Sequence, residues 1–125
     1  SYTTCLPLVA LPSPTPSEYV YPPPLSGSAQ YRAPTHYIDL NAHPGSTQVA
    51  PNFRLDELAQ AYKGRWAVVQ SHAVDRLQDL RDDLGALVIN SGYRNPDYNA
   101  GVGGASSSRH QYGDAFDMDP VSVSL

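Results

Sequence analysis

Long apolar runs are missing from this sequence. No stretch of 18 apolar residues occurs, the length a bilayer-spanning helix needs, so no membrane span is expected. An excess of positive charge is missing too. Eight Lys and Arg against twelve Asp and Glu leave a formal net charge of -4. That balance argues against a nucleic-acid partner, because such proteins present a basic patch. Cysteine is scarce, with Cys5 the single one. An odd cysteine either stays a free thiol or pairs with a group outside the chain, and the count alone does not choose. No secretory leader is visible, and the chain starts at Ser1 rather than Met, which reads as a processed or trimmed N-terminus. Internal repeats are absent. What is present suits one domain with a modest core: 125 residues, 41% hydrophobic and 16% charged.

The composition changes near residue 50. Nine of the twelve prolines fall in residues 1–50, including Pro12, Pro14 and Pro16 and the run Pro22-Pro23-Pro24. Proline lacks a backbone donor and fixes its own φ, so no long helix or central strand forms there. Residues 1–33 therefore read as an extended arm or linker, with Tyr19, Tyr21 and Tyr31 pinning it to the surface of a domain at residues 34–125. Tyr37-Ile38-Asp39-Leu40 fits a short strand or a turn beside the core. Asn52 is placed to cap a short helix through Phe53, Leu55 and Leu58. A longer helix is expected after Gly64. Trp66, Val69, Ala73, Leu77, Leu80 and Leu84 recur every three or four residues, and Gly85 stops the helix. Ala86–Asn90 reads as a buried strand. Asn95-Pro96-Asp97 is turn chemistry, and Gly101, Gly103 and Gly104 with three serines form a flexible loop. Ala115–Met118 reads as a second strand, and the alternation in Val121–Leu125 as the start of a further element.

The segment that carries chemistry runs from Ser108 to Asp117. It places an imidazole, His110, seven residues before a carboxylate, Asp117. Neutral imidazole nitrogen and carboxylate oxygen are good zinc ligands, with bonds of about 2.0–2.2 Å. Seven residues span roughly 10 Å along a helix and ~23 Å along a strand, where the two side chains also face opposite ways. Both can reach one ion only if the chain folds back between them, and Gly113 sits where the reversal belongs. His110 then enters from a loop or strand end and Asp117 from the following strand. Two such residues alone are a weak signal, since zinc sites use three or four protein ligands.

Ser91-Gly92-Tyr93-Arg94, Tyr98-Asn99, Gly103-Gly104, then Ser108, His110, Gly113, Ala115 and Asp117 form an ordered pattern, SGYRxxxYN…GGAxxSxHxxGxAxD. This pattern resembles that of the M15 zinc peptidases, a family of D-Ala-D-Ala carboxypeptidases, vancomycin-resistance dipeptidases and phage endolysins. The likeness extends over residues 51–120. It implies an α+β fold of the hedgehog and DD-peptidase kind, a small, mostly antiparallel sheet against helices. It also implies zinc as cofactor, with His110 and Asp117 as the first two metal ligands. Arg94 would be the catalytic arginine that holds the scissile carbonyl and its oxyanion, a role suited to a fixed guanidinium. Ser108 would bind substrate or shape the loop. Tyr93, Tyr98 and Asn99 read as packing and turn residues.

The sequence departs from the family after Asp117. The family adds a third ligand, a histidine, preceded closely by a carboxylate that acts as general base, and residues 118–125 hold neither pattern. The expectation is a C-terminally incomplete M15 domain, inactive alone, whose missing groups come from a downstream segment or a second chain. His72 falls on the polar side of the long helix, facing solvent, and His36 and His43 precede the domain's motifs. Two functions follow. One is a zinc-dependent peptidase acting on peptidoglycan stem or cross-bridge peptides, secreted or otherwise extracytoplasmic at the cell envelope. The other is a non-catalytic M15-like scaffold used in cell-wall binding or assembly.

Overall fold

A computed structural model describes residues 6–22, 32–105 and 108–120. Among these lie strands β1 (Ile38–Asp39), β2 (Gln48–Ala50) and β3 (Phe53–Arg54), helix α1 (Leu55–Leu58), strand β4 (Trp66–Ala67), helix α2 (Ser71–Leu84), strand β5 (Leu87–Ser91), helix α3 (Pro96–Gly101) and strand β6 (Asp117–Pro120). The fold is α+β, as expected. Every strand pairing is antiparallel, and the strands divide over three ribbons: β1 with β4, β2 with β3, and β5 with β6. Cys5, Pro23, Pro24, Tyr31, Ser106, Ser107 and Val121–Leu125 lie outside the described residues, and with them the expectations placed on those positions.

One core joins these pieces. Phe53, Leu55, Leu58, Val74 and Tyr37 are almost fully enclosed. The arm contributes to this core. Between residues 6 and 22 it contains one short 3-10 turn at Ser17–Tyr19 and a bridge between Val9 and Tyr37. Tyr19 is 4% exposed, so it sits deeper than a surface pin. Its ring meets Tyr37 and Trp66 edge-on at 5.5 and 5.7 Å, contacts worth about 0.5–1.5 kcal/mol each beyond area burial.

Four sequence expectations change in the structure. Asn52 does not cap α1, because its side-chain oxygen and its N–H are both taken by the buried Gln78, at 2.8 and 3.0 Å. The cap is Arg54, whose N–H donates to the Glu57 carboxylate at 2.9 Å, one half of a capping box. The long helix begins at Ser71, since Trp66–Ala67 instead pairs with Ile38–Asp39. Its buried face is Ala73, Val74, Leu77 and Gln78, while Leu80 and Leu84 are exposed; Gly85 ends it at φ 84°. Strand β5 is not buried throughout. Only Leu87 is enclosed and Val88 is 47% exposed, because a two-stranded ribbon leaves one face open. Finally, Asn95-Pro96-Asp97 starts a helix rather than a turn. Asn95 Oδ1 accepts the Tyr98 N–H at 2.7 Å with Pro96 in the first turn, where a missing N–H costs nothing.

Candidate functional site

His110 lies in a 3-10 turn, Arg109–Tyr112, whose first N–H groups need acceptors. Ser108 Oγ accepts the His110 N–H at 3.3 Å, so this hydroxyl shapes the turn that carries the imidazole. The turn ends at Gly113, with φ 76° and ψ 19°, a left-handed conformation that favours glycine. A β-carbon there would also lie 2.3 Å from the Val68 carbonyl oxygen. The reversal is fastened by Gln70, whose N–H donates to Gly113 O at 2.8 Å and whose side-chain amide donates to Tyr112 O at 2.7 Å. Arg109 and Asp114 form a two-pronged ion pair across the loop.

The reversal does what the seven-residue spacing required. His110 Nε2 lies 3.4 Å from Asp117 Oδ1, with Asp117 opening β6. His110 is 9% exposed, whereas the Asp117 side chain is 58% exposed, so the pair sits at the edge of the fold with its carboxylate towards solvent. On the other side of the imidazole, Nδ1 is 2.8 Å from the Gly92 carbonyl oxygen. A carbonyl only accepts, so Nδ1 carries a proton, and Nε2 is the ring nitrogen that faces Asp117.

Gly92 packs against the end of α1 because nothing projects from its α-carbon. A β-carbon there would stand 2.0 Å from the Leu58 carbonyl oxygen, the same oxygen that accepts the Tyr93 N–H at 2.8 Å. Helix α1 thus presses directly on the 91–94 segment. The next residue, Arg94, donates its backbone N–H to His110 O at 3.0 Å. Its guanidinium is steered by Ser91 Oγ at 3.1 Å and Asn99 Oδ1 at 3.4 Å, and comes 3.4 Å from Asp117 Oδ2. Arg94, His110 and Asp117 therefore share one small polar cluster. Asn99, 1% exposed, also donates to Ala105 O at 2.8 Å.

Sequence reasoning assigned no role here to Ser91 or to the Gly92 carbonyl, and it read Asn99 as a packing and turn residue. Their place in the motif was the available signal, but which atom each offers depends on the fold. His36 and His72 are exposed. Among the described residues no three His, Cys, Asp or Glu side chains converge.

The motif and the geometry agree with a sequence comparison. The Peptidase M15 family model matches residues 51–125. The chain belongs to the M15 peptidase family. That match includes every residue of the polar cluster, while the arm that supplies Tyr19 precedes it. The M15 chain is also similar to the zinc D-Ala-D-Ala carboxypeptidase of Streptomyces albus G, with 44% identity over 45 residues, 34% of this chain and 18% of that protein. The alignment thus spans less than a fifth of that relative. No solved structure matches the M15 chain. Among its described residues no helix is long and apolar enough to cross a membrane.

Proposed function

We propose that this chain carries the substrate-facing half of a zinc peptidase centre that acts on peptidoglycan stem or cross-bridge peptides, at the cell envelope or outside it. The observation that supports this most is the 3.4 Å approach of His110 Nε2 to Asp117 Oδ1. Two ligands of a tetrahedral ion with bonds of ~2.1 Å stand ~3.4 Å apart. The Nδ1 bond to the Gly92 carbonyl fits as well, because a metal-binding histidine characteristically donates its other nitrogen to such an acceptor. In this reading His110 and Asp117 hold the metal, and a third ligand comes from outside the described residues. When bound, zinc supplies Lewis-acid polarisation of the peptide carbonyl and lowers the pKa of water to about 7. Gly92 keeps the imidazole in the metal-binding tautomer. Arg94, held by Ser91 and Asn99, presents a fixed guanidinium to the oxyanion of the attacked peptide bond. Ser108 sets the His110 turn through its hydroxyl, and in this reading it also serves substrate binding.

The name of the Streptomyces relative, a zinc D-Ala-D-Ala carboxypeptidase, supports a D-amino-acid peptide as substrate. A non-catalytic M15 scaffold that binds cell wall is the second reading, favoured by the presence of only two converging ligands among the described residues. The decisive experiment uses the full-length gene product, assayed with zinc on cross-linked muropeptides beside His110→Ala and Asp117→Asn. Zinc-dependent release of peptide that both substitutions abolish is the expected result. Muropeptide binding without cleavage would establish the scaffold instead.

A further inference from the structure

The 91–94 segment and the His110 turn are joined by two direct bonds, Gly92 O to His110 Nδ1 at 2.8 Å and Arg94 N–H to His110 O at 3.0 Å. A third link runs through the arm. Tyr21 Oη lies 2.6 Å from Tyr93 Oη and donates to Gln111 O at 2.5 Å. The Gln111 carbonyl can only accept, so the single Tyr21 hydroxyl proton goes there, and Tyr93 must donate to Tyr21. One hydroxyl thus spans the two loops at positions immediately beside Arg94 and His110. The ring of Tyr21 packs on Tyr112 at 5.4 Å between centroids, and Tyr93 is 5% exposed.

We infer that Tyr21 is a positioning residue: its hydroxyl, brought in by the N-terminal arm, locks the Arg94 segment against the His110 turn and so fixes the separation between the arginine and the imidazole. The inference rests on the reading of His110 and Arg94 as site residues. It extends that reading to a segment outside the M15 match at residues 51–125, and it makes the arm part of the site's scaffold. Tyr19 provides the control. It is an arm tyrosine buried more deeply than Tyr21, and its hydroxyl accepts from Trp66 N–H at 2.9 Å and donates to Trp66 O at 2.5 Å, so these two bonds tie the arm to β4 rather than to the His110 turn.

The test compares the intact chain with Tyr21→Phe and Tyr19→Phe. Ring nitrogen and carbon signals of His110 are recorded by NMR without metal, and then during titration with Zn2+. Melting temperature is measured alongside. Both substitutions lower the melting temperature. Only Tyr21→Phe is expected to shift the metal-free His110 signals and to raise the Zn2+ concentration for half-saturation, by about 3–10-fold, below the 10–100-fold typical of groups that bond a metal ligand directly. Unmoved metal-free His110 signals in Tyr21→Phe, or equal shifts in Tyr19→Phe, would overturn the inference. If Zn2+ leaves the His110 signals of the parent chain unchanged, the zinc reading fails, and the metal-free spectra still decide whether Tyr21 sets the imidazole.

Discussion

His110 Nε2 and Asp117 Oδ1 stand 3.4 Å apart although seven residues separate them, because Gly113 turns the chain back at φ 76°. The approach joins a nearly buried imidazole to an exposed carboxylate. Such a pair has little reason to form as a stability device, since exposed ion pairs contribute about 0–1 kcal/mol. In the proposed reading, as two ligands of one ion, it has one. Asp117→Asn keeps the shape and removes the anion. Zn2+ binding, followed on the His110 signals, is therefore expected to weaken by on the order of 100-fold or more, beyond the losses seen for indirect partners. Melting temperature without metal should hardly move. Unchanged zinc binding would show that Asp117 is not a ligand.

Arg94 is positioned by three neighbours, Ser91, Asn99 and Asp117. In the catalytically complete protein, Arg94→Ala is expected to lower kcat by about 10²–10³, the cost of one oxyanion donor, with a smaller change in KM. Arg94→Lys should recover little, because a point ammonium cannot serve Ser91 and Asn99 while facing the substrate. Steady-state kinetics on a muropeptide checks both: a wild-type kcat in Arg94→Ala would refute the oxyanion role, and one in Arg94→Lys would refute the need for a guanidinium.

The reversal at Gly113 and the convergence it produces were legible in the sequence, because a glycine between a histidine and an aspartate is a local signal. Much of what holds them was not. Trp66 and Val69 fit the period of α2, yet Trp66 is claimed by a strand pairing with Asp39, a partner 27 residues away. Leu80 and Leu84 fit the same period and remain exposed. Asn95-Pro96-Asp97 suits both a turn and a helix start, and only the Tyr98 N–H on Asn95 Oδ1 decides. Tyr21 carried no motif at all, since its role lies in contacts across 72 and 90 residues of chain. Local chemistry reads out of sequence; long-range hydrogen bonds between side chain and backbone do not.

Gly92 gives a prediction on stability and site together. Gly92→Ala would put a methyl group 2.0 Å from the Leu58 carbonyl oxygen, so the 91–94 segment has to move away from α1. Urea unfolding is expected to show a loss of about 1–3 kcal/mol, the usual cost of overpacking. The His110 ring signals should shift in the same variant, because its Nδ1 acceptor moves with the segment. A variant as stable as the parent with unmoved His110 signals would mean that this close packing is not maintained in solution.

The tyrosines between arm and domain give a prediction on pH. Burial pushes the phenols of Tyr19, Tyr21 and Tyr93 up from their ordinary value, and that of Tyr37 to about 12. A folded-state pKa above the unfolded one means that the native chain binds more protons over the interval, so stability falls as pH rises. The contribution is intact below pH ~10, the value for an unfolded tyrosine, and is lost as pH climbs towards 12. Denaturation midpoints between pH 8 and 12 should be flat to about pH 10 and then drop. Phenolate absorbance of the folded chain should rise later than that of the chain in urea. Coincident titration curves for the two would contradict the burial of these hydroxyls.

Residues 1–125 by themselves are expected not to turn over peptidoglycan peptides. Catalytic zinc sites generally take three protein ligands and leave a position for water, whereas among the described residues His110 and Asp117 are the two His or carboxylate side chains of the polar cluster. An ion held by two ligands dissociates readily. A positioned general base also contributes 10²–10⁴ in rate, and neither Arg94 nor Ser108 can act as one at neutral pH, since the guanidinium stays charged and the hydroxyl is too weak a base. The two deficits act on one step and do not simply add. The assay places the purified 125-residue chain with excess zinc on cross-linked muropeptides and compares it with the full-length gene product. Equal turnover by both would overturn the ligand count, and His36→Ala, His43→Ala and His72→Ala would then identify which of the remaining histidines completes the site.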